Sequence, residues 1–347
     1  MQTVIASTPH RVSLAGGATD LEDFYKHHGY GATVGIAIEP FSHVIVMPRS
    51  WDDSNVMLRY SKTVEVSSVN QLGGDPAQNA VKAACKLVRI ENGFELTSQS
   101  GTSYRKGGSG LGSSSSFSVS LLHSLQVFNG SMLPTAELSY DDRTKAKLRL
   151  AEQAYYLERV LLGQKCGKQD QYTSALGGIN YFRYNSDGSV EITPINLSLE
   201  NRLRLEGQLH LFYTGIHRDA NSLLAVQAAH AQDNSPSLLK MRSMADDALA
   251  RLLRGEVDFI GELLASGWEL KKTLDPNISN ERIDRAYKGA IEKGASGGRL
   301  VGAGAGGYLL FSIPPANYHD VRAFLREEGL QERPVVIDYE GSRAVKV

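Results

Sequence analysis

Between Arg105 and Leu125 the chain reads RKGGSGLGSSSSFSVSLLHSL, glycines and serines running straight into an apolar, helix-like stretch. Residues of these types can hold phosphate. Glycine lets backbone N–H groups approach an anion closely. A helix beginning near Ser113 turns its free N–H groups and the positive end of its dipole toward the loop. Serine hydroxyls at that start can donate to phosphate oxygens or ligate Mg2+; each can equally be a plain N-cap. Two familiar nucleotide templates do not fit. A P-loop needs a lysine directly after its last glycine, whereas Ser113 follows Gly112 and Lys106 lies upstream. A dinucleotide loop needs a third glycine where Ser113 stands. A flexible linker shares the composition, but a linker does not join a strand directly to an apolar helix.

A second cluster, GGRLVGAGAGGYLLF, satisfies G-x-G-x-x-G at Gly302, Gly304 and Gly307. The β-like run YLLFSI follows where a dinucleotide site would open a helix. The cluster therefore reads as a tight backbone turn, packed against another backbone or a ligand.

These loops need elements to position them. Val- and Ile-rich runs dominate the N-terminal part: RVSLAGG, ATVGIAIEPFSHVIVMPR, NVMLRY, TVEVSSV and FELTSQ read as strands. QNAVKAACKLVRIENG has helical spacing, with Gly93 as its stop. Further helical patterns cover 113–129 and 142–162, and GINYFRYNSDGSVEITPI reads as a hairpin turning at Asp187-Gly188. QLHLFYTGI follows as a buried strand. From Asn221 to Lys293 the pattern is helical, with breaks near Asn234–Pro236 and Asp275-Pro276; GGYLLFSIP, ANYHDVRAFLREEG and PVVIDYE then read as strand, helix and strand. The change from strand-rich to helix-rich near residue 200 predicts an α+β protein of two lobes.

The chain has 347 residues, with 37 basic and 38 acidic side chains and a net charge of −1. That balance offers no footprint for nucleic acid or an anionic membrane. No apolar run approaches the roughly 18 residues of a membrane span, and the first residues lack the pattern of a signal peptide. Cys85 and Cys166 are too few for a disulfide framework or a zinc site. The expectation is a soluble, cytoplasmic protein acting on a small molecule; the sequence carries no signal for its oligomeric state.

Three stretches, in order, resemble the three motifs of the GHMP small-molecule kinases: PHRVSLAGGATD (9–20), GGSGLGSSSS (107–116) and GAGAGGYLLF (302–311). That superfamily includes galactokinase, homoserine kinase and mevalonate kinase, and the likeness runs over nearly the whole chain. AGGATDLEDFY, GKQDQYTSALGGINYF, LFYTGIHRDANSLL and GASGGRLVGAGAGGYLLF look most like the D-glycero-D-manno-heptose 7-phosphate kinases, with the fucose-type sugar-1-kinases next. There are departures. The proline expected before the middle loop is absent, and Arg105-Lys106-Gly107 stands there; Ser116 replaces an alanine and Ala305 a glycine.

The resemblance implies a two-lobed fold, a ribosomal-protein-like β-α lobe over 1–200 and a ferredoxin-like lobe over 201–347. It implies ATP and Mg2+ as cofactors and a sugar or sugar phosphate as acceptor, phosphorylated at its anomeric hydroxyl on the way to nucleotide-activated heptose. It puts the ATP cradle at Gly108, Ser109, Gly110, Leu111, Gly112, Ser113 and Ser114. Ser114 and Glu158 match the Mg2+ ligands, with Glu152 on the same helix as the rival. Asp170 matches the catalytic base and Arg11 the arginine beside it; an ordinary structural ion pair is the other reading. Gly17, Asp20, Arg218 and Gly304 fall at acceptor positions, although Asp20 could instead cap the helix of LEDFYKHHG. Gly17-Ala18 replace the Glu-His pair of galactokinases, which argues against galactose. A phosphate on the acceptor would need its own cation, for which His217, Arg218, Lys168 and Arg105-Lys106 are candidates; each could also be a plain surface charge. A non-catalytic sugar sensor on this scaffold should have lost Ser114, Glu158 or Asp170, and all three are present.

Overall fold

Alternating Val and Ile residues build two long strands near the N-terminus, and these organise the larger of two sheets. The computed structural model describes residues 2–50, 52–101, 109–216 and 234–347. The first seven strands are β1 (Val4–Ala15), β2 (Tyr30–Pro48), β3 (Val56–Arg59), β4 (Thr63–Val66), β5 (Phe94–Ser100), β6 (Ile179–Asn185) and β7 (Val190–Pro194). A smaller sheet holds β8 (Leu209–Tyr213), β9 (Gly297–Leu300), β10 (Tyr308–Ser312) and β11 (Gln331–Pro334), in the order β11-β8-β10-β9, all antiparallel. The last strand, β12 (Arg343–Lys346), returns to the larger sheet and pairs with β1.

β2 is long enough to serve two partners along one edge. Its first part, from Tyr30 to Ile36, pairs with β6, and its last part, from Ser42 to Pro48, pairs with β5; β1 runs along the opposite edge. Helices Pro76–Val88, Ser113–Phe128 and Tyr140–Tyr156 share one hydrophobic core with this sheet. Ser113–Phe128 is buried almost all round despite its serines. The hydroxyls are small and satisfied: Ser116 donates to Thr8 O at 2.9 Å and Ser120 to Ala6 O at 3.1 Å. The serines therefore bond this helix to β1 rather than exposing it.

Helices Ile260–Lys272, Glu281–Glu292 and Tyr318–Glu327 pack on the smaller sheet, while Ser235–Leu253 lies against β1 and β2 and beside Ile260–Lys272. One core cluster draws on both sheets, joining Val12, Leu14 and Ile36 to Leu211, Leu264 and Val301. We propose the division at 200/201 as the lobe boundary, noting that β12 and an Ile38–Ile337 bridge tie the late chain back to the first sheet.

Local departures from the sequence expectation have local causes. The helix beginning at Pro76 ends before Gly93, at Arg89, whose left-handed backbone returns its N–H to Cys85 O and Lys86 O. The expected strand PVVIDYE leaves the sheet after Pro334, and Ile337 makes only the bridge to Ile38. β9 and the helix Leu199–Gln208 were not anticipated: GGRL lacks a strand's usual bulk, and LENRLRLEGQ buries only Leu205. The hairpin of β6 and β7 forms as expected, with Gly188 at φ +88°.

The two glycine loops meet backbone to backbone. Gly110 and Gly302 have φ of +79° and +73°, and a Cβ on Gly302 would stand 2.4 Å from Gly110 Cα. A Cβ on Gly110 would meet Val301 O at 2.6 Å. Gly302→Ala should therefore cost about 1–3 kcal/mol of stability, through strain and displacement of the facing loop. Thermal melts check this against Gly207→Ala, a helical position with nothing within 4 Å of a new Cβ. The first variant should melt several degrees lower, and the second at the parent temperature or above.

Candidate active site

Arg11 is the first side chain to place, because three segments converge on it. It projects from β1 and is 7% exposed. Its Nε donates to Asp170 Oδ1 at 2.6 Å, and Nη2 donates to Asp170 Oδ2. Nη1 donates to Gly110 O at 2.5 Å, and the Arg11 N–H donates to Leu111 O at 3.0 Å. Gly112 makes room for this: at φ +69°, a Cβ there would lie 3.0–3.1 Å from the Arg11 side chain. The glycines of this loop thus serve an arginine as well as leaving the N-terminus of Ser113–Phe128 open.

Asp170 sits in the first turn of helix Gln169–Leu176, and its carboxylate is 30% exposed. Asp20 holds the start of that helix, accepting the Gln169 N–H at 3.1 Å. The short helix Glu22–Tyr25 is preceded by Leu21 and has no side-chain cap, so Asp20 does not cap it. Gly167 packs directly on Asp20, where a Cβ would come within 1.9 Å of Oδ2. Burial, and then the nearby charge of Asp170, raise the Asp20 carboxyl to about 6.

Glu158 is 1% exposed and lies in a π-helical turn, Leu157–Leu161, that follows Tyr140–Tyr156. Its carboxylate gathers hydroxyls from the facing helix: Ser114 at 3.2 Å and Ser118 at 2.9 Å on Oε1, and Ser115 at 2.7 Å on Oε2. Gln171 Nε2 also donates to Oε2. Burial pushes the Glu158 carboxyl up, and these donors pull it back. Glu152 is half exposed and turned elsewhere, bonded by Tyr172 and 3.5 Å from Lys168 Nζ. Of the two rivals, Glu158 is the one in the cleft.

These groups line a cleft of about 410 Å³ between the loops of the two sheets. Arg11, Gly17, Asp20, Asp170, Glu158 and the Ser109–Ser115 region all border it. Ser109 turns its hydroxyl inward to accept the Leu111 N–H at 3.2 Å. Leu111 itself is fully buried, so its part in the loop is structural. Gly304 does not border the cleft; its φ is +127° and a Cβ would press on Ile278 at 3.2 Å. Lys168 is also turned away: Nζ donates to Gly188 O at 2.6 Å and lies 5.1 Å from the Tyr155 ring centre. Gly108, Arg105, Lys106, His217 and Arg218 lie outside the described residues.

Two cleft cations escaped the sequence reading. Lys271 donates to Leu300 O at 3.3 Å and to Gly302 O, tying its helix to the second glycine loop. Arg299, on β9, is 3% exposed. The only signal for it was a charged residue inside the otherwise apolar GGRLVGAG.

Among the described residues no group of three or more His, Cys, Asp or Glu could hold a metal. Glu158 with Ser114 offers one carboxylate and one hydroxyl, hard oxygen donors that suit Mg2+ when substrate phosphates and water complete the shell. The residues present fit that ion. Among the described residues no helix is long and apolar enough to cross a membrane.

Two family models match the chain: GHMP kinases N terminal domain over residues 77–178 and GHMP kinases C terminal over 248–329, together more than half its length. A D-glycero-alpha-D-manno-heptose 7-phosphate kinase of Campylobacter jejuni is 29% identical over 341 residues, 95% of each chain. The bifunctional fucokinase/GDP-fucose pyrophosphorylase of Arabidopsis thaliana is 27% identical, over 87% of this chain and 29% of that protein. Among solved structures, a D-glycero-D-manno-heptose 1-phosphate kinase of Bacteroides thetaiotaomicron superposes with TM-score 0.78 at 22% identity, covering 99% of both chains. Lactococcus lactis galactokinase complexed with galactose superposes with TM-score 0.72 at 18% identity, covering 99% of this chain and 95% of that one. These two superpositions bear on the fold.

The raised Asp20 carboxyl carries a signed prediction. The folded state holds this proton more tightly than the unfolded chain, whose value is near 3.8. Stability should therefore fall as pH rises from about 4 to about 6 and level off above, by roughly 3 kcal/mol at most. Asp20→Asn keeps an acceptor for the Gln169 N–H and removes the buried charge. It should melt at or above the parent temperature at pH 7.5, with a smaller difference at pH 4.5. An equal loss of stability at both pH values would contradict the assignment.

Proposed function

The chain belongs to the GHMP kinases, and on that premise we propose that it transfers the γ-phosphoryl group of ATP to the anomeric hydroxyl of a sugar, D-glycero-D-manno-heptose 7-phosphate. The product is the 1,7-bisphosphate, an intermediate toward nucleotide-activated heptose. The observation that carries the reading is Asp170, fixed by Arg11 at the mouth of the glycine-serine loop and open to the cleft. The named activity of the Campylobacter jejuni relative, similar over 95% of both chains, supports the acceptor.

The chemistry follows from the residues. Backbone N–H groups of the loop and of the first turn after Gly112 receive the triphosphate. Glu158 and Ser114 would hold Mg2+, which supplies charge neutralisation on the phosphate oxygens when bound. Asp20 accepts a hydroxyl of the sugar and fixes the turn that presents Asp170. Asp170 takes the proton of the anomeric hydroxyl as its oxygen bonds to the γ-phosphorus; the bond to the leaving oxygen of ADP breaks in line. Arg11 keeps Asp170 aimed through the forked contact. Retention of Asp170, Glu158 and Ser114 in one cleft is what a kinase needs and a mere sensor does not.

The similarity to the bifunctional fucokinase/GDP-fucose pyrophosphorylase of Arabidopsis motivates a second reading, a kinase for a neutral fucose-like sugar. ADP release with ATP and Mg2+ across a panel of acceptors separates the two. The heptose 7-phosphate should be turned over, with kcat/KM about 100-fold or more above the dephosphorylated heptose. Turnover of L-fucose alone would replace the acceptor and keep the kinase. No ADP release with any sugar would overturn the proposal.

A further inference from the structure

Arg299 carries a charge for which the surrounding protein supplies little compensation. Its side chain is buried, and among the described residues its Nη1 reaches only Leu14 O at a long 3.4 Å and its Nε has no hydrogen-bond partner. No carboxylate pairs with it among the described residues. The guanidinium sits against two residues without side chains: a Cβ on Gly17 would lie 3.6 Å from Nη2, and one on Gly267 would lie 3.8 Å from Nη1. Both Gly17 and Arg299 border the cleft that Asp170 also lines.

A buried and unpaired cation costs several kcal/mol unless a partner arrives. Arg11 cannot share the burden; it is a like charge, and its field adds to burial in lowering the Arg299 side chain to about 10. Arg299 therefore stays charged at neutral pH. Arg11 is also fully engaged, with Nε and Nη2 on Asp170 and Nη1 on Gly110. Lys271, on the same wall, donates to two backbone carbonyls. Of these three cleft cations, Arg299 is the one with a buried donor left over.

We infer that Arg299 is an anion ligand of the cleft beside Gly17, seating a phosphate group of the bound substrates through its underused guanidinium. The inference rests on the kinase reading for the identity of those substrates. Two sources share the chemistry: a phosphate already carried by the sugar, and the phosphoryl group in transfer. In either case a charge-assisted bond from a dry guanidinium supplies what a surface lysine would not.

The test uses the full chain with Arg299→Met, which keeps the stem and removes the charge, and Arg299→Lys, which keeps the charge. Thermal melts with and without inorganic phosphate read the seat independently of turnover. Phosphate should raise the melting temperature of the parent, raise that of Arg299→Lys less, and leave Arg299→Met unmoved. Without ligand, Arg299→Met should be at least as stable as the parent. Kinetics then identifies the source. A KM for the sugar phosphate raised about 10-fold or more, with the dephosphorylated sugar unaffected, assigns the acceptor's own phosphate. A kcat lowered about 100-fold on both sugars assigns the transferred group. The inference is overturned if phosphate shifts the parent and Arg299→Met alike or shifts neither, or if Arg299→Met is destabilised and Arg299→Lys restores stability without a phosphate response. Failure of the parent to turn over any sugar would sink the kinase reading while leaving the phosphate response to decide this one.

Discussion

The forked contact between Arg11 and Asp170 is the constraint to which the rest of the cleft is fitted. The partners lie 159 residues apart, and the same guanidinium also bonds a carbonyl 99 residues from it in the glycine-serine loop. A strand, a loop and a helix start are thereby fixed to one rigid plane. The burial is one-sided, with the arginine enclosed and the carboxylate partly open. That asymmetry suits a proposed base: the enclosed cation fixes the carboxylate in place, and the carboxylate can still meet a substrate. Other features make room for this contact or brace it. Gly112 lacks a Cβ so that Arg11 can pass, and Gly167 lacks one so that Asp20 can reach the helix that carries Asp170.

The remaining charges are spread along the cleft. At one place Glu158 lies under a ring of serine hydroxyls at the start of Ser113–Phe128, where oxygen donors and an open helix N-terminus face the same space. Elsewhere along the cleft stand Asp20 and Arg299, one a carboxyl held near 6 and the other a cation with an unpaired donor. Neither place would be stable as a bare apolar pocket filled with ions, since buried charge is costly without partners. Glu158 uses hydroxyls and Asp20 a backbone N–H already present in the fold, whereas Arg299 is left with one long bond.

Much of this was legible in the sequence, because short-range physics writes itself into short stretches. The helix start after Gly112, the turn at Gly302 and the hairpin at Gly188 all follow from glycine's conformational freedom, and each is where it was expected. Asp170 with Arg11, and Ser114 with Glu158, were reached through resemblance, and their side chains do meet. What resisted was long-range. Glu152 and Glu158 are six residues apart, about 240° around an ideal helix, so spacing alone said that they face differently but not which faces the cleft. The role of Gly304 depended on Ile278 packing against it, and that of Lys168 on a carbonyl in a distant hairpin. Arg299 gave only the faint sign of its apolar flanks, because what it packs against, Leu14, Gly17 and Gly267, is distant in sequence. The serines after Gly112 looked like a phosphate loop, yet Ser116, with Ser120 further along, bonds the helix to β1.

The central claim is that Arg11 acts through Asp170, and a double-mutant cycle on single-turnover phosphoryl transfer tests it most directly. The rate is measured for the parent, Arg11→Met, Asp170→Asn and the double variant at saturating ATP, Mg2+ and acceptor. Asp170→Asn should lose about 10²–10⁴ in rate, and the double variant should be slower than Asp170→Asn by no more than about 3-fold, as expected when two residues work as a unit. Losses that multiply, with the double variant slower by the full product of the two single effects, would contradict the account.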